Sequence, residues 1–585
     1  MLLHELLEKS SACQPNKKAL GRENQWMTYQ ELQIAFETAA KALQQLNICK
    51  NDRVAIYLPK VEEAVISYFS VSKVGGIFIP VNPALKARQV AHILNDSTAK
   101  VLITNTARLR QMITQSLTEQ ANAKSLAKLE QIILIDATED DDLCDDEFSV
   151  NKGHGESVNI ISWPGFMTLG NNTLVSSTSD TTSRSEYIGN DIIDSDIAAI
   201  FYTSGSTGNA KGVVLSHRNL VMGAKSVAQY LPCKSTDVMA AIQPFSFDYG
   251  FSQLTICFLI GASCYMDEYL FEKDLFETIK RQKITTLALV PPLWIKLAQG
   301  CWPAEVGKNI RYFCNTGGAM PRSTLSKLRN YMPNAKPYLM YGLTEAFRSC
   351  YLPPEQLDIR PESFGKAIPN AQITVINEQG DECRPHEPGE LVHRGVLVSQ
   401  GYWNDVEQTK QRFKPAANLL PQVPLTEMAV WSGDVVKKDE QGFLYFIGRK
   451  DDLIKTSGYR LSPDEVENVL YLLDDISEAI VIGVPHPVLG QALVAIIVAK
   501  SAELTEKRVL RHCLASLPNY MLPKHIAFVD SLPRNANNKF ERNHWKAVYK
   551  NLFARLINEN IKTNDLVEST ESVKSAEVGI KNENA

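Results

Sequence analysis

The sequence predicts an α/β protein with a large N-terminal domain of parallel-type sheets and helices, followed by a small α+β domain. Its 585 residues exceed the size at which one hydrophobic core stops growing, so at least two domains are expected. Up to about residue 448, short apolar strands alternate with helical patterns, which is typical of parallel strands joined by helices. A compact unit with strands of its own follows.

Composition and charge indicate a globular, cytoplasmic protein. Hydrophobic residues make up 44% of the chain, charged residues make up 22%, and the net charge is −5, so nothing favours nucleic acid or an anionic membrane as a partner. The 11 cysteines include no CxxC pair, which argues against a zinc ribbon and suits a reducing compartment. The N-terminus lacks a signal-peptide pattern. The longest apolar stretch, residues 255–266, is shorter than the roughly 20 residues of a membrane helix, so no integral membrane segment is expected.

The elements of the large domain begin near the N-terminus. Thr28 followed by Glu31 is typical of a capped helix start. Residues 54–58 and 101–104 have the pattern of apolar strands, and residues 91–94 lie in a helical stretch between turn signals. This order predicts that the domain opens with a parallel sheet.

Two segments lack the composition of a packed core. Between residues 138 and 191, an acidic run at 139–147 and a stretch rich in Ser, Thr and Asn at 171–185 predict a flexible insertion without a ligand. Residues 551–585 contain no aromatic residue after Phe553 and are rich in Asn, Glu, Lys, Ser and Thr. They are predicted to form a disordered tail.

The small domain is predicted at residues 449–550, after a large domain of residues 1–448. Residues 478–484 and 492–499 have the pattern of strands. A helix is expected to open at residues 462–465, where Ser is followed by Pro.

A glycine-rich loop, YTSGSTGNAKGV at residues 202–213, is the most informative segment. It follows the apolar strand 197–202, and its glycines and hydroxyl groups favour close approach of N–H donors to an anion. It is not a Walker A loop, because Gly212 stands where Ser or Thr would ligate magnesium. A Gly/Ser linker is the alternative. The flanking buried-strand patterns and the single Lys211 favour a phosphate-binding loop instead.

This loop resembles the signature of the adenylate-forming superfamily of acyl-CoA synthetases, luciferases and peptide-synthetase adenylation domains. The resemblance runs from about residue 28 to residue 545, with the motifs in the family's order. It implies that the loop holds the β and γ phosphates of ATP and that Lys211 neutralises the departing pyrophosphate. The implied ATP-binding residues are Thr203, Ser204, Gly205, Ser206, Thr207, Gly208 and Lys211.

Two further motifs resemble the rest of the family's nucleotide site. NTGGA at residues 315–319 corresponds to a turn that lines the adenine and acyl pockets, and YGLTE at residues 341–345 follows it. In the second motif Tyr341 would stack on adenine, Thr344 would meet the α-phosphate and Glu345 would help hold Mg²⁺, which prefers hard oxygen ligands. The residues implied by the two motifs are Gly317, Gly318, Ala319, Tyr341, Gly342, Thr344 and Glu345.

The predicted domain junction also resembles the family's pattern. Asp434, in the motif WSGD, and Arg449 would bind the ribose hydroxyls, and Asp451 would be the hinge about which a mobile small domain rotates. Gly458 would leave room for the pantetheine arm of coenzyme A. The implied coenzyme A-binding residues are Lys455, Gly458 and Arg460.

A C-terminal loop, PRNANNKFER at residues 533–542, resembles the segment that carries the family's catalytic lysine, here Lys539. The family usually has Gly before this lysine, whereas this chain has Asn538, which tolerates positive φ better than most residues do. Lys539, Glu345 and Thr207 are the predicted catalytic residues.

The resemblance implies an AMP-forming ligase that uses ATP, Mg²⁺ and coenzyme A. A carboxylate attacks the α-phosphorus of ATP to give acyl-AMP and pyrophosphate, and a thiol then takes the acyl group. This chemistry asks the protein to position reactants and stabilise charge rather than to supply a nucleophile.

The substrate is less well defined by the sequence. In PFSFDYG, residues 244–250, Phe247 and Asp248 are predicted to line the acyl pocket together with Ala319. Asp248 also resembles the aspartate with which amino-acid adenylation domains pair the substrate's amino group. The alternative, that Asp248 is helix-capping or exposed, is somewhat favoured over ligand contact. Residues 341–370 resemble bacterial acyl-CoA ligases associated with exosortase A systems.

Three functions remain open on this basis. The first is an acyl-CoA ligase acting on a small-molecule carboxylic acid. The second is a stand-alone adenylating enzyme that loads a carrier-protein phosphopantetheine, and the third is a non-catalytic nucleotide-binding relative. Joint retention of Lys539, Glu345, Asp434 and Arg449 argues against the third.

Overall fold

The computed structural model describes residues 1–118, 128–138, 158–172, 191–204, 210–268, 271–300, 302–303, 305–318, 320, 322–417, 420, 422–449, 454–461, 463–501, 503–533, 540 and 542–556. The strands are β1 (Lys18–Arg22), β2 (Gln25–Thr28), β3 (Arg53–Ile56), β4 (Ile77–Pro80), β5 (Val101–Thr104), β6 (Gln131–Leu134), β7 (Asn159–Ser162), β8 (Ile197–Ser204), β9 (Ala210–Ser216), β10 (Val238–Ala241), β11 (Ser263–Met266), β12 (Thr286–Leu289), β13 (Tyr312–Asn315), β14 (Lys336–Tyr341), β15 (Cys350–Leu352), β16 (Ser363–Ala367), β17 (Ala371–Ile376), β18 (Gly389–Gly395), β19 (Phe413–Pro415), β20 (Met428–Lys438), β21 (Leu444–Arg449), β22 (Ile454–Thr456), β23 (Tyr459–Leu461), β24 (Ile476–His486), β25 (Gly490–Ala499) and β26 (His525–Phe528).

The helices connect these strands and cover the sheets. They are α1 (Glu5–Cys13), α2 (Tyr29–Gln45), α3 (Glu62–Lys73), α4 (Ala87–Ser97), α5 (Thr106–Thr118), α6 (Trp163–Asn172), α7 (His217–Tyr230), α8 (Asp248–Ile260), α9 (Glu272–Gln282), α10 (Pro291–Gln299), α11 (Arg322–Tyr331), α12 (Val406–Arg412), α13 (Pro463–Leu470), α14 (Glu506–Ser516) and α15 (Arg542–Tyr549).

Two sheets form the large N-terminal domain. Within the described residues the first has seven strands in the order β7-β6-β5-β3-β4-β8-β9, parallel except for the final antiparallel pair β8–β9. The second has fourteen. Its strands β11, β10, β12, β13 and β14 are parallel, and β1 joins their edge in parallel. The predicted α/β class, with a large N-terminal domain and a smaller C-terminal one, is confirmed.

The second sheet differs from the prediction in its later part. Instead of further strand–helix units, the sheet beyond β14 continues in the spatial order β15, β16, β21, β20, β18 and β17, with each neighbouring pair antiparallel. Apolar runs of this length do not distinguish parallel from antiparallel partners, because pairing depends on residues distant in sequence.

Helices α3 and α8 pack between the two large sheets. Helix α8 is rich in apolar residues and is buried continuously from Asp248 to Phe258, as expected of a helix enclosed on every side. Phe251 of α8 contacts Phe78 and Phe201 of the first sheet, with ring centroids 5.3 and 5.5 Å apart. This packing places the N-terminus of α8 where the sheets meet.

Several predicted elements are confirmed near the N-terminus. Helix α2 begins at Tyr29, and Thr28 and Glu31 form a reciprocal capping box that satisfies otherwise unpaired N–H groups. The strands expected near residues 54 and 101 are β3 and β5, and the helical pattern at 91–94 lies in α4.

The predicted insertion and tail both need correction. Within 138–191, residues 158–172 form β7, which pairs with β6, and α6, so this part belongs to the fold. The acidic run 139–147 lies outside the described residues. The predicted tail begins too early, because Phe553 is buried against the small domain.

The small domain contains a five-stranded sheet of β22 to β26, counted over its described part. Alternate residues of its long β24–β25 hairpin contribute to two cores, because side chains alternate across a strand. Val481 and Ala495 pack with Ile454 of β22 on one face, whereas Ile480 and Ile482 pack with α15 on the other. The side chains of Ile454 and Leu461 from the β22–β23 hairpin and those of α15 therefore pack on opposite faces of the small-domain sheet.

An α-helix that crosses a bilayer needs about 20 apolar residues. None of the helices in the described ranges has the length and apolar character needed to cross a bilayer.

Candidate active site

A cavity of about 520 Å³ opens between the large domain and the β22–β23 hairpin of the small domain. Its wall combines the β8–β9 hairpin, the start of α8, the loops after β13 and β14, and residues from the small domain. Parallel strands of a sheet present their carboxyl ends at one edge, where open α/β sheets bind ligands. The predicted site residues in this wall are Thr203, Lys211, Phe247, Asp248, Gly317, Gly342, Thr344, Glu345 and Gly458.

The predicted phosphate loop is the connection of the β8–β9 hairpin. Thr203 and Lys211 are directly opposite in its register. Gly205, Ser206, Thr207 and Gly208 lie outside the described residues, and of Ser204 only its place at the end of β8 is described. The hairpin thus brings both ends of the loop to the cavity.

Lys211 is held at the cavity by two contacts. Its Nζ donates to Gln408 Oε1 at 3.0 Å and lies 5.7 Å from the centroid of the Tyr402 ring. Burial lowers the pKa of Lys211 from its ordinary value, and the Asp405 carboxylate opposes this shift. An anion in the cavity would favour the charged form of the lysine.

Glu345 lies in a short 3₁₀ turn, Thr344–Ala346, that follows β14. Its Oε1 accepts a hydrogen bond from the Tyr402 hydroxyl at 2.6 Å, and its backbone oxygen accepts from Ser399 N at 2.8 Å. The second carboxylate oxygen makes no hydrogen bond to a described residue. A single carboxylate beside the Thr344 hydroxyl fits Mg²⁺ that takes most of its ligands from phosphates and water.

Four cationic or ionisable side chains in the same wall have no counterpart among the predicted site residues. Arg88 and His92 come from α4, and Arg412 and Lys414 come from the end of α12 and β19. Arg412 donates to the backbone oxygen of Trp431 at 3.3 Å. No local motif marks these residues, since their proximity to Lys211 arises only when segments more than 100 residues apart fold together.

The predicted ribose site lies beside the cavity. Tyr341 donates from its hydroxyl to Asp434 Oδ2 at 2.5 Å, and its ring packs on Phe364 with centroids 4.7 Å apart. Asp434 is opposite Arg449 in the β20–β21 register, although the Arg449 side chain is outside the described atoms. In the described chain, Gly433 and Ser432 rather than Asp434 and Tyr341 form the wall. The roles of these residues stay predictions.

Gly458 brings the small domain directly against the large one. It has φ of +82°, and a Cβ built on it would lie 2.8 Å from Val290 Cγ1. Next to it, Tyr459 stacks on Tyr520 with ring centroids 3.8 Å apart and packs near Phe247 at 6.4 Å. Only a residue without a side chain allows this approach.

Some of the remaining predicted residues belong to the described part of the chain, and the others lie outside it. Lys455 Nζ lies 5.1 Å from the centroid of the Phe446 ring, and Gly318 is packed against Pro291. Arg460 lies in β23, with its backbone alone described. The predicted residues outside the described part of the chain are Ala319, Asp451 and Lys539.

Asp248 is buried in the cavity wall, so the expectation that it is exposed is wrong, whereas its position as the first residue of α8 agrees with the expected place at a helix start. It begins α8, and its Oδ1 accepts from the backbone N–H of Tyr249 at 2.8 Å. Arg348 Nη1 lies 3.5 Å from its Oδ2. The sequence places Arg348 three residues after the YGLTE motif, but only the fold shows that it pairs with Asp248.

Comparisons with known proteins match nearly the whole chain. The profile of the AMP-binding enzyme family matches residues 7–403, and that of the AMP-binding enzyme C-terminal domain matches residues 465–539. A long-chain-fatty-acid–CoA ligase of Escherichia coli O157:H7 is 26% identical over 557 residues, which cover 92% of this chain and 93% of that protein.

Two further comparisons show how widely this fold is used. A linear gramicidin synthase of Brevibacillus parabrevis is 26% identical over 93% of this chain and 6% of that protein. The structure of o-succinylbenzoate CoA synthetase from Bacillus subtilis superposes with a TM-score of 0.74 at 24% identity, covering 92% of this chain and 97% of that one. With a profile match over more than half of its length, the chain belongs to the AMP-binding enzyme family.

Proposed function

We propose that this protein is an AMP-forming acid–thiol ligase that converts a carboxylic acid and ATP to acyl-AMP and pyrophosphate, then transfers the acyl group to coenzyme A. The observation that supports this most directly is the composition of one cavity. The phosphate hairpin with Lys211, the acidic turn with Glu345 and the Gly458 turn of the small domain all line it. These are the parts required for phosphate binding, metal binding and thiol entry.

In the first half-reaction the protein positions reactants and stabilises charge. Lys211, Arg412 and Lys414 are placed to attract the triphosphate, and Glu345 with Thr344 would hold Mg²⁺. When bound, the metal neutralises charge on the phosphate oxygens. The acid's carboxylate attacks the α-phosphorus, the bond to the β-phosphate oxygen breaks, and pyrophosphate leaves with its electron pair.

In the second half-reaction a narrow thiol arm would enter beside Gly458. A second cavity of about 510 Å³ lies on that side, between the domains. Ser457, Tyr459 and Leu489 of the small domain face Phe245 and Val290 of the large domain across it. This arrangement suits a pantetheine chain that extends from the solvent to the acyl-adenylate.

Lys539 belongs to the first half-reaction and would reach the cavity by rotation of the small domain. Its neighbour Phe540 packs with Ile480 and Ile482, on the face of the small sheet opposite the Ile454 core. Because the β22–β23 hairpin is at the cavity, the face of the small sheet on which Phe540 packs is directed away from the cavity. Rotation about the predicted hinge Asp451 would exchange the two faces.

A carrier-loading adenylating enzyme is the alternative. It is supported by the position of Asp248 in the cavity wall and by similarity to the linear gramicidin synthase. The subfamily associated with exosortase A systems stays a prediction.

Pyrophosphate release from purified full-length protein tests the proposal. We expect release to depend on ATP, Mg²⁺ and an acid from a panel of aliphatic, aromatic, dicarboxylic and amino acids, with a coenzyme A thioester as product. Activity confined to amino acids, without thioester formation on coenzyme A, would support carrier loading. Failure of every acid would overturn the ligase proposal.

The division of labour is tested with Lys539→Ala. Because Lys539 would act only on the phosphates, we expect pyrophosphate release to fall by about 100-fold or more while thioester formation from supplied acyl-AMP is retained. Lys546→Ala, on α15, is the matched control and should leave both reactions unchanged. Equal loss of both half-reactions in Lys539→Ala would contradict the assignment.

A further inference from the structure

The inner end of the proposed acyl pocket is charged. Arg348 and Asp248 line the main cavity although they are only 3% and 5% exposed. Their closest oxygen and nitrogen atoms are 3.5 Å apart. An unsubstituted hydrocarbon chain reaching this point would face an ion pair without offering it any hydrogen bond, which is unfavourable in a buried site.

Arg348 has hydrogen-bonding capacity that the protein does not use. Nη1 donates to Phe347 O at 2.7 Å and faces Asp248 at 3.5 Å, and Nη2 donates to Ser252 Oγ at 2.8 Å. A guanidinium carries five N–H donors. The Nε–H and one Nη2–H therefore have no acceptor among the described residues, in a side chain that water scarcely reaches.

Two neighbouring groups are also unsatisfied. Tyr249 Oη and Gln253 Oε1 have no hydrogen-bond partner in the described chain, and each residue is 3% exposed. The Arg348 guanidinium lies 4.9 Å from the centroid of the Tyr249 ring. Native proteins pair such buried polar atoms in most cases, so two of them beside a guanidinium with unused donors indicate a ligand.

These three side chains surround a small cavity of about 30 Å³ behind the main one. Tyr249 and Arg348 line both cavities and therefore separate them. The space behind the partition accepts a few atoms at most. A long acyl chain could not continue through it.

From this arrangement we infer that Arg348, supported by Tyr249, selects a short carboxylic acid with a second carboxylate at its far end. The unused donors outnumber the single unused acceptor, and guanidinium–carboxylate pairing is stronger and more directional than neutral hydrogen bonding. The Tyr249 hydroxyl would donate to the same carboxylate. This inference rests on the proposed ligase function and specifies its substrate class.

The first test compares substrates in the unmodified protein. Short unbranched acids are assayed for pyrophosphate release in matched sets of monoacid, terminal diacid and α-amino acid. We expect kcat/KM for the best diacid to exceed that of the monoacid of equal length by about tenfold or more.

The second test uses variants that separate recognition from folding. Tyr249→Phe removes a hydroxyl that has no protein partner among the described residues, so the fold should be kept, while KM for the diacid rises about tenfold and that for the monoacid does not change. Arg348→Met should abolish the diacid preference. Because Arg348→Met removes the cation that faces Asp248 at 3.5 Å, the double variant Asp248→Asn/Arg348→Met accompanies it. Tyr331→Phe, on α11, is the control.

The outcomes distinguish this inference from the function on which it rests. Equal use of monoacids and diacids, or a diacid preference that survives in both Arg348 variants, would overturn the inference and leave the ligase proposal standing. A preference for α-amino acids that Asp248→Asn alone removes would overturn it in favour of carrier loading. Absence of pyrophosphate with every acid would reject both proposals.

Discussion

Tyr402 illustrates how a single side chain organises the proposed metal and phosphate sites. Its hydroxyl donates to Glu345 at 2.6 Å, and its ring lies under the ammonium group of Lys211. Tyr402 thereby orients two groups in one cavity, the Glu345 carboxylate that would hold Mg²⁺ and the Lys211 ammonium group that would attract phosphate. Tyr402 lies outside the motifs described above. It bridges Val213 of β9, donates from its backbone N–H to Thr409 Oγ1 at 3.0 Å, and is followed by a hydrogen bond from Trp403 N to Gly212 O at 2.7 Å.

Tyr402→Phe separates these two contacts, since the ring is kept and only the hydroxyl is lost. Residues that orient metal ligands typically account for about 10- to 100-fold in metal affinity. We therefore expect the Mg²⁺ concentration for half-maximal pyrophosphate release to rise about tenfold or more. Tyr331→Phe should behave like the unmodified protein. An unchanged Mg²⁺ dependence in Tyr402→Phe would show that Glu345 does not need this contact.

At the scale of elements, the β22–β23 hairpin is the feature that joins the two domains at the cavity. Ile454 and Leu461 fasten it to the small-domain core, and Gly458 at its turn meets Val290 of the large domain. The turn has positive φ at both Ser457 and Gly458. Glycine here serves two needs, a left-handed backbone and a contact with no space for a side chain.

Gly458→Ala should impair the second half-reaction selectively. The added Cβ would lie 2.8 Å from Val290, so the β22–β23 hairpin could not approach the large domain as closely as it does with glycine. We expect thioester formation from supplied acyl-AMP to fall about tenfold or more, while pyrophosphate release is kept. Gly442→Ala is a matched control, because Gly442 also has positive φ, +80°, but nothing described lies within 4 Å of its added Cβ. Equal effects of the two substitutions would mean that backbone strain rather than contact is responsible.

At the scale of the whole molecule, we expect docking of the small domain to depend on pH through Glu465. Gln89 of the large domain donates to its Oε1 at 2.7 Å. Burial in the docked state raises the pKa of Glu465 to about 7, and the Gln89 hydrogen bond and Arg88 oppose this rise. The docked state therefore binds a proton more tightly than an undocked state in which the carboxylate is hydrated. We therefore expect docking to be favoured at low pH and to weaken as pH rises from about 4.5 to about 7.

Glu465→Gln removes this titration and keeps an oxygen acceptor for Gln89. We expect the docked fraction, followed by energy transfer between dyes on α11 and α14, to decline between pH 5.5 and pH 8 in the unmodified protein, by about 30-fold in the docking equilibrium constant. In Glu465→Gln it should stay constant. Glu503→Gln, at an exposed site, should leave the decline unchanged. A decline that persists in Glu465→Gln would assign it to another group.

Local sequence signals sufficed for much of the fold. The Thr28–Glu31 capping box, strands β3, β5 and β8 of the first sheet, and strands β24 and β25 of the small domain follow from short patterns whose physical cause is local hydrogen bonding and side-chain periodicity. These short local patterns did not predict the antiparallel part of the second sheet. Its strands pair with partners up to 82 residues away (Ser363 with Tyr445), and an apolar run does not specify its partner.

By itself, the sequence determined the α/β class, the two-domain order and the ordered motifs that indicate an adenylate-forming enzyme, because each depends on residues close together in the chain. Only the tertiary structure decided what surrounds those motifs. Arg348 pairs with Asp248 across 100 residues, and Tyr402 reaches Glu345 across 57. The charge and depth of the acyl pocket arise from such distant pairs. Burial and electrostatic pairing are properties of the packed chain, and they are absent from any short segment of it.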